Sequence, residues 1–201
     1  MRTIKDISTR FKQRPKTFHY AITFLDLVLT KRPTIFSTKF DDQKFFKTKV
    51  SSLTMNKNIL ATSCILLASK FYELDENLIL STDVRRKFGR SMFTQNEFDR
   101  AELQVLEILD WNLLRLTVLD FVQVITSLGL IQNDDQIEGE KYEDMSQSEK
   151  QEIADKMVRL TTKLTDWVLL SYRPNICSFK KSELAVAVMI IARKLMGLSN
   201  E

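Results

Sequence analysis

The sequence predicts an all-α protein. Its 201 residues contain 4 glycines and 3 prolines, too few to end the many strands and hairpins of an all-β fold. Apolar residues instead recur at spacings of three and four, the period of an amphipathic helix. Hydrophobic residues form 44% and charged residues 28% of the chain, a balance typical of a folded protein with a buried core.

Two helices are predicted in the first seventy residues. The first clear helical pattern covers residues 16–32, between Pro15 and Pro33. Residues 57–72 are apolar on nearly every side, with small residues interleaved among large ones. Small residues let neighbouring helices approach closely, so this pattern predicts a helix surrounded by other helices.

Two more helices follow in the first half of the chain. A short one is expected near residues 79–89, ending at a glycine. A longer one begins at Thr94, because Glu97 three residues later completes a capping box. Its apolar pattern continues to about Trp111.

The helical pattern restarts after residue 112. Residues 117–130 form one predicted helix, residues 148–172 a second and residues 181–198 a third. Residues 132–152 are polar and acidic, with a net charge of −6, which predicts a solvated loop.

An internal repeat links the two halves. Residues 60–70 read LATSCILLASK and residues 184–194 read LAVAVMIIARK, with Leu-Ala, Ala and Lys at the same offsets. Each follows a helix that ends before a proline. Two related helical domains that meet near residues 112–116 are therefore expected, although two apolar helices can also look alike by chance.

The composition argues against most enzyme classes and cofactors. A single histidine, His19, cannot build a multi-histidine metal site, and the four glycines are too far apart to form a phosphate-binding loop. Cys64 and Cys177 have no second cysteine nearby, as expected for reduced thiols inside the cell. We expect a protein without catalytic residues, bound metal or cofactor, whose function is binding.

Four phrases in order resemble the cyclin family. Leu66–Glu73 (LLASKFYE) resembles the third helix of the cyclin box, and Arg100–Leu113 resembles its fifth helix. Thr17–Asp26 is similar to the second helix, and Thr117 with Phe121 to the start of a second box.

The resemblance implies an all-α cyclin fold with one complete helical box and a second, C-terminally incomplete box. The first box would cover residues 1–114, with an insertion at residues 34–58. The partial second box would cover residues 115–201, with the acidic loop at residues 132–152.

The resemblance also implies a function: a non-catalytic regulatory subunit that binds and activates a cyclin-dependent protein kinase. Lys70 and Glu102 would grip the mobile helix of the kinase, because an ammonium donates to backbone carbonyls and a carboxylate accepts from backbone N–H groups. Each could equally be an ordinary solvated charge on a helix surface. The apolar contacts would come from Leu67, Phe71, Leu106, Trp111 and Leu113.

The start of the chain departs from the family pattern. Members carry an M-R-A-I-L phrase and a tryptophan that dock substrates. Here Met1–Ile4 looks similar but lies too close to Thr17, and no tryptophan follows. We expect Ile4, Ile7 and Phe11 to form a short replacement helix, without substrate docking of the family type.

By the resemblance, we expect the second box to lack the two helices that usually cover it. Apolar residues of the last helix should then be partly uncovered, and such patches usually mark contacts. This predicts self-association or a further protein partner. The residues concerned are among Val186, Val188, Met189, Ile190 and Ile191.

The insertion carries phenylalanines interleaved with lysines. The phenylalanines could pack on the body of the protein while the lysines stay in water. Alternatively the segment could bind an acidic partner, including nucleic acid, weakly and without sequence preference. The lysines are Lys39, Lys44, Lys47 and Lys49.

The sequence is also compatible with two other functions. The sequence pI of about 9.0 also suits a cyclin-fold transcription factor that binds nucleic acid, resembling transcription factor IIB. A structural scaffold could keep the fold without activating a kinase. All three functions place the chain in the nucleus, the cytoplasm or both, and none requires a membrane.

Overall fold

The described part of the chain is almost entirely helical and falls into two compact units, Met1–Arg115 and Leu116–Glu201. This confirms the predicted all-α class. Among the described helices, none is both long and apolar enough to cross a membrane. The computed structural model describes residues 2–32, 56–88, 93–137, 139–171 and 179–198.

The first unit is built around one central helix, α3. Residues Ile59 to Ser69 of α3 are all buried, and α1, α2 and α5 pack on it. The predicted core helix is therefore present, because helices cover it on every side. The helices of this unit are α1 (Arg2–Arg10), α2 (Pro15–Lys31), α3 (Lys57–Tyr72), α4 (Ser81–Phe88) and α5 (Gln95–Ile108).

The chain begins with a short helix, as expected. Ile4 and Ile7 of α1 are buried, and α1 packs on α2 and α3. Phe11 lies just after the helix, where the Lys87 ammonium sits 4.1 Å from the centre of its ring. Burial of one apolar stripe is what holds so short a helix in place, since nine residues alone are too few to stay helical in water.

The end of α5 differs from the prediction. The capping box of Thr94 and Glu97 is present, but the helix ends at Ile108 rather than near Trp111. Asp110 and Trp111 have left-handed φ angles of 54° and 58°. Trp111 N–H donates to the Leu106 carbonyl at 2.8 Å, and Asp110 N–H to the Glu107 carbonyl at 3.1 Å. These two bonds form a Schellman motif, which ends a helix even where no glycine is present.

The second unit packs its last helix between two others. Val188 and Ala185 of α8 form a core with Val118 and Val122 of α6, and α7 packs on α8 as well. A two-residue antiparallel strand pair precedes α7, with Gln136 opposite Lys141. The elements are α6 (Val118–Ser127), β1 (Gln136–Ile137), β2 (Glu140–Lys141), α7 (Gln147–Leu170) and α8 (Lys181–Leu195).

The acidic segment 132–152 is more ordered than a solvated loop. Asp135 is fully buried and receives two hydrogen bonds from the Arg193 guanidinium, at 2.9 and 2.5 Å. Arg193 also donates to the Leu130 carbonyl at 2.7 Å. The segment is thus attached to α8 by a bidentate ion pair. The Asp135 carboxylate is part of the interior. The overall acidity of the segment had predicted that it would be solvated.

Removing Asp135 should destabilise the second unit. We expect Asp135→Ala to cost roughly 3 kcal/mol, because the guanidinium of Arg193 would be left half-buried without its carboxylate. Hydrogen exchange of peptides from α8 would measure the loss, with Asp134→Ala as the matched control. Asp134 is exposed, so its replacement should change stability by less than about 0.5 kcal/mol. Equal exchange in both variants would contradict a structural role for the ion pair.

Candidate partner-binding site

An ion pair joins the last turn of α3 to α5. The Lys70 ammonium contacts the Glu102 carboxylate, so the structure brings together the two charged residues that the sequence singled out. Glu102 is only 8% exposed, because it lies on the face of α5 that also carries the buried Phe98, Ala101 and Val105. The expectation that Glu102 is an ordinary surface residue is wrong. Lys70 remains exposed above it.

Phe71 lies beside this pair and is held by an aromatic stack. Its side chain is 46% exposed, and its ring meets the Tyr72 ring edge-on at 5.0 Å. Tyr72 in turn stacks on Tyr20 of α2 at 3.5 Å, and its hydroxyl donates to the Leu113 carbonyl at 2.9 Å. The end of α3 is therefore tied to α2 and to the segment after α5. A side chain held in this way loses little further freedom when it is covered.

Trp111 projects from the turn that ends α5. Its side chain is 64% exposed although its backbone is in the left-handed region, which is costly for a bulky residue. Asp110 beside it is anchored to α2, since the Lys31 ammonium lies 2.5 Å from its carboxylate. That hydrogen bond and the positive charge of Lys31 hold the pKa of the Asp110 carboxyl below its usual range.

The remaining predicted contact residues divide by exposure. Leu67 and Leu113 are buried and support the site from the core, while Leu106 is half-buried. Leu103 and Leu114 are exposed large apolar residues that the sequence analysis did not single out. Adjacent leucines at 113 and 114 look equivalent in the sequence, and only the path of the chain decides which one faces outward.

We call Lys70, Phe71, Glu102, Leu103, Trp111 and Leu114 the α3–α5 rim. It combines an ion pair with exposed aromatic and aliphatic side chains on a framework of packed helices. Exposed tryptophan and other aromatic side chains are typical of protein-binding surfaces. The four lysines of the insertion, Lys39, Lys44, Lys47 and Lys49, lie outside the described residues.

We searched the described residues for metal ligands and for reactive nucleophiles. No three His, Cys, Asp or Glu side chains are grouped there in a way that could hold a metal. His19 is buried in α2. Cys64 is buried in α3, and burial raises the pKa of its thiol, so it stays protonated at neutral pH.

The fold and the rim define an all-α protein whose first unit exposes an ion pair together with apolar side chains. The family model for the N-terminal domain of cyclins matches residues 1–114, more than half of the chain. The chain belongs to the cyclin family, as the resemblance predicted. Cyclins are in general regulatory proteins rather than enzymes, and a cyclin domain generally implies a kinase partner. No curated protein sequence gives a significant match.

The ion pair of Asp110 with Lys31 makes a prediction about pH. Because the folded chain lowers the pKa of Asp110, the pair stabilises the fold above the pKa of an unfolded aspartate, about 3.9, and this contribution is lost as the pH falls through the lowered value. Carbon NMR of the side-chain carboxyl should show Asp110 titrating low in the wild type and closer to its usual range in Lys31→Ala.

Glu97 is the internal control for this titration. Its pKa is lowered by hydrogen bonds from the backbone and the hydroxyl of Thr94, not by Lys31. It should therefore titrate identically in the wild type and in Lys31→Ala. A titration of Asp110 that does not move in the variant would contradict the ion pair.

Proposed function

We propose that this cyclin-family chain is a non-catalytic regulatory subunit that binds and activates a cyclin-dependent protein kinase. The observation that carries the proposal is the pairing of Lys70 with Glu102 at the α3–α5 rim. The family resemblance implies that two residues at these positions contact the kinase. Their proximity makes it possible for one helix of a partner to meet both.

The ion pair gives each residue a distinct part in this binding. An ammonium has three N–H donors, and Glu102 occupies one direction while Lys70 remains exposed. The other donors can reach backbone carbonyls in the segment that leads into a kinase helix. Glu102 is held at the boundary of the core, so its carboxylate has little freedom to lose when it accepts an N–H.

The exposed apolar side chains of the rim would supply the contact area. Phe71, Trp111 and Leu114 are all largely exposed in the chain by itself. Complete burial of an aromatic side chain removes about 150–250 Å² from water. Phe71 and Trp111 are already partly covered, so together they would contribute less than twice this value to a standard interface of about 800 Å² per partner. The strain of the left-handed Trp111 is consistent with a residue kept outward for a partner.

A charge exchange separates the binding role of the ion pair from its role in the fold. Lys70→Glu and Glu102→Lys each leave two like charges together and should lower the thermal midpoint. The double variant restores an ion pair and should recover most of the stability. Kinase binding should not recover, because both charges now face the kinase helix with the wrong sign. We expect the double variant to bind about a hundredfold or more weakly, measured by calorimetry against a panel of cyclin-dependent kinases.

A matched control is the exposed pair of Glu152 and Lys156 on α7, 2.8 Å apart. Exchanging these two charges should change neither the thermal midpoint nor kinase binding. If the Lys70 and Glu102 exchange bound like the wild type, the ion pair would not be part of the kinase-binding surface. If the wild type neither bound nor activated any kinase of the panel, the chain would be a scaffold rather than an activator.

Two exposed tryptophans give a second test that does not touch the core. Trp111 and Trp167 are 64% and 65% exposed, in the first and second unit respectively. Trp111→Ala should reduce kinase affinity at least tenfold, as expected for a tryptophan at the centre of an interface. Trp167→Ala should leave the affinity unchanged. Equal effects of the two substitutions would argue against the α3–α5 rim as the binding surface.

The same proposal places the chain in the nucleus, the cytoplasm or both, where a kinase of this class would meet it. Fluorescence imaging of the tagged chain, together with its co-purified kinase, would test the location. Exclusive recovery in a membrane or extracellular fraction would contradict it.

A further inference from the structure

The outer face of α8 is apolar and is not covered by other described residues. Its inner face forms the core with α6 and α7, but Val186, Ile190 and Ile191 are 48%, 50% and 45% exposed, and Ala187 is exposed as well. Spacings of three and four place these residues on one stripe of the helix. The sequence analysis expected Val188 and Met189 in the uncovered set too, but both are buried because they point toward α6 and α7.

The stripe has a charge at each end. Glu183 stands one turn before Val186 and Ala187, and Lys194 one turn after Ile190 and Ile191. Both side chains are exposed. The sequence along this face is therefore acidic at the start of the helix, apolar in the middle and basic at the end.

This order is symmetric about the midpoint between Val188 and Met189. Reversing the helix exchanges Glu183 with Lys194, Val186 with Ile191, and Ala187 with Ile190. An antiparallel copy of α8 would thus place an acidic residue against a basic one at both ends and apolar residues against apolar ones between them. The charged ends lie about 16 Å apart at 1.5 Å per residue, so both contacts form in one register.

Size is also complementary at the centre of such a pair. Ala187 would face Ile190 of the second copy, and Ile190 would face Ala187 of the second copy. A small residue opposite a large one lets two helices approach closely and fill the space between their axes. A parallel pair would instead place Glu183 against Glu183 and Lys194 against Lys194, which like-charge repulsion disfavours.

We infer that α8 pairs with α8 of a second copy of this chain in an antiparallel, two-fold symmetric contact. Each copy offers the same patch, as a closed dimer requires. The patch is small, so the dimer is weak and forms at high local concentration. It uses only residues of the second unit, so the inference does not rest on the proposed kinase binding.

Charge reversal at the two ends tests both the contact and its direction. Glu183→Lys or Lys194→Glu alone makes both end contacts repulsive, and each should weaken dimerisation at least about tenfold at low ionic strength. An equimolar mixture of the two single variants should form a heterodimer, because each copy then supplies the charge that the other lacks. Sedimentation between about 1 µM and 1 mM measures both effects.

The mixture also controls for local damage to the fold. Glu183 accepts a hydrogen bond from the Lys180 backbone at 3.0 Å, and Glu183→Lys removes this cap. Mixing with Lys194→Glu cannot restore a lost cap, so recovery of the dimer in the mixture must come from contacts between chains. A mixture that stays as monomeric as its components would overturn the antiparallel pairing.

A substitution in the apolar centre completes the test. Ile190→Glu should abolish the dimer, while Val158→Glu should leave it intact. Val158 is exposed to a similar extent, 45%, but lies on α7 beside Thr126 and Tyr142 rather than on the α8 stripe. A wild-type chain that is monomeric at about 1 mM would overturn the proposal. If that monomer also bound a dye for exposed apolar surface, the face would belong to a different partner.

Discussion

The burial of Ile59 to Ser69 in α3 is the constraint on which the first unit depends. Ala61, Cys64 and Ala68 let α1, α2 and α5 approach its axis, and no face of the helix is left for water. Ser69, the last buried residue of α3, also has a hydrogen-bond partner, because its hydroxyl accepts the Ile79 backbone N–H at 2.9 Å. Lys70 is the point at which the helix finally reaches solvent, and the candidate site begins there.

The site therefore lies where the core meets the surface, and its residues serve both. Glu102 places a carboxylate on the core-facing side of α5, where the Lys70 ammonium neutralises it. A buried charge of this kind is costly to strip of its partner, so the pair is fixed in place whether or not another protein is bound. The ring of Phe71 is held in a similar way. It contacts Tyr72 edge-on, and Tyr72 stacks on Tyr20.

The second unit also contains a buried carboxylate paired with a cation, but here the pair lies on a helix that keeps one apolar side exposed. Asp135 and Arg193 form an ion pair that attaches the acidic segment to one side of α8. Ala185 and Val188 bury another side against α6 and α7. The outer side of the same helix keeps its apolar residues in water, which is unfavourable for a helix that has no further contact to make. The opposite charges at the two ends of that stripe favour a second, antiparallel copy of α8 over other partners.

The sequence by itself determined the helical class, the core helix α3, the capping box at Thr94 and the cyclin resemblance, because periodicity, caps and short phrases are local properties of the chain. It could not determine that Glu102 and Asp135 are buried, since burial of a carboxylate depends on a cation from a distant segment, Lys70 or Arg193. Nor could it locate the true end of α5, where Asp110 and Trp111 adopt the left-handed conformation that glycine usually supplies at a helix end. Those features were decided by tertiary structure, because only packing brings the compensating groups together.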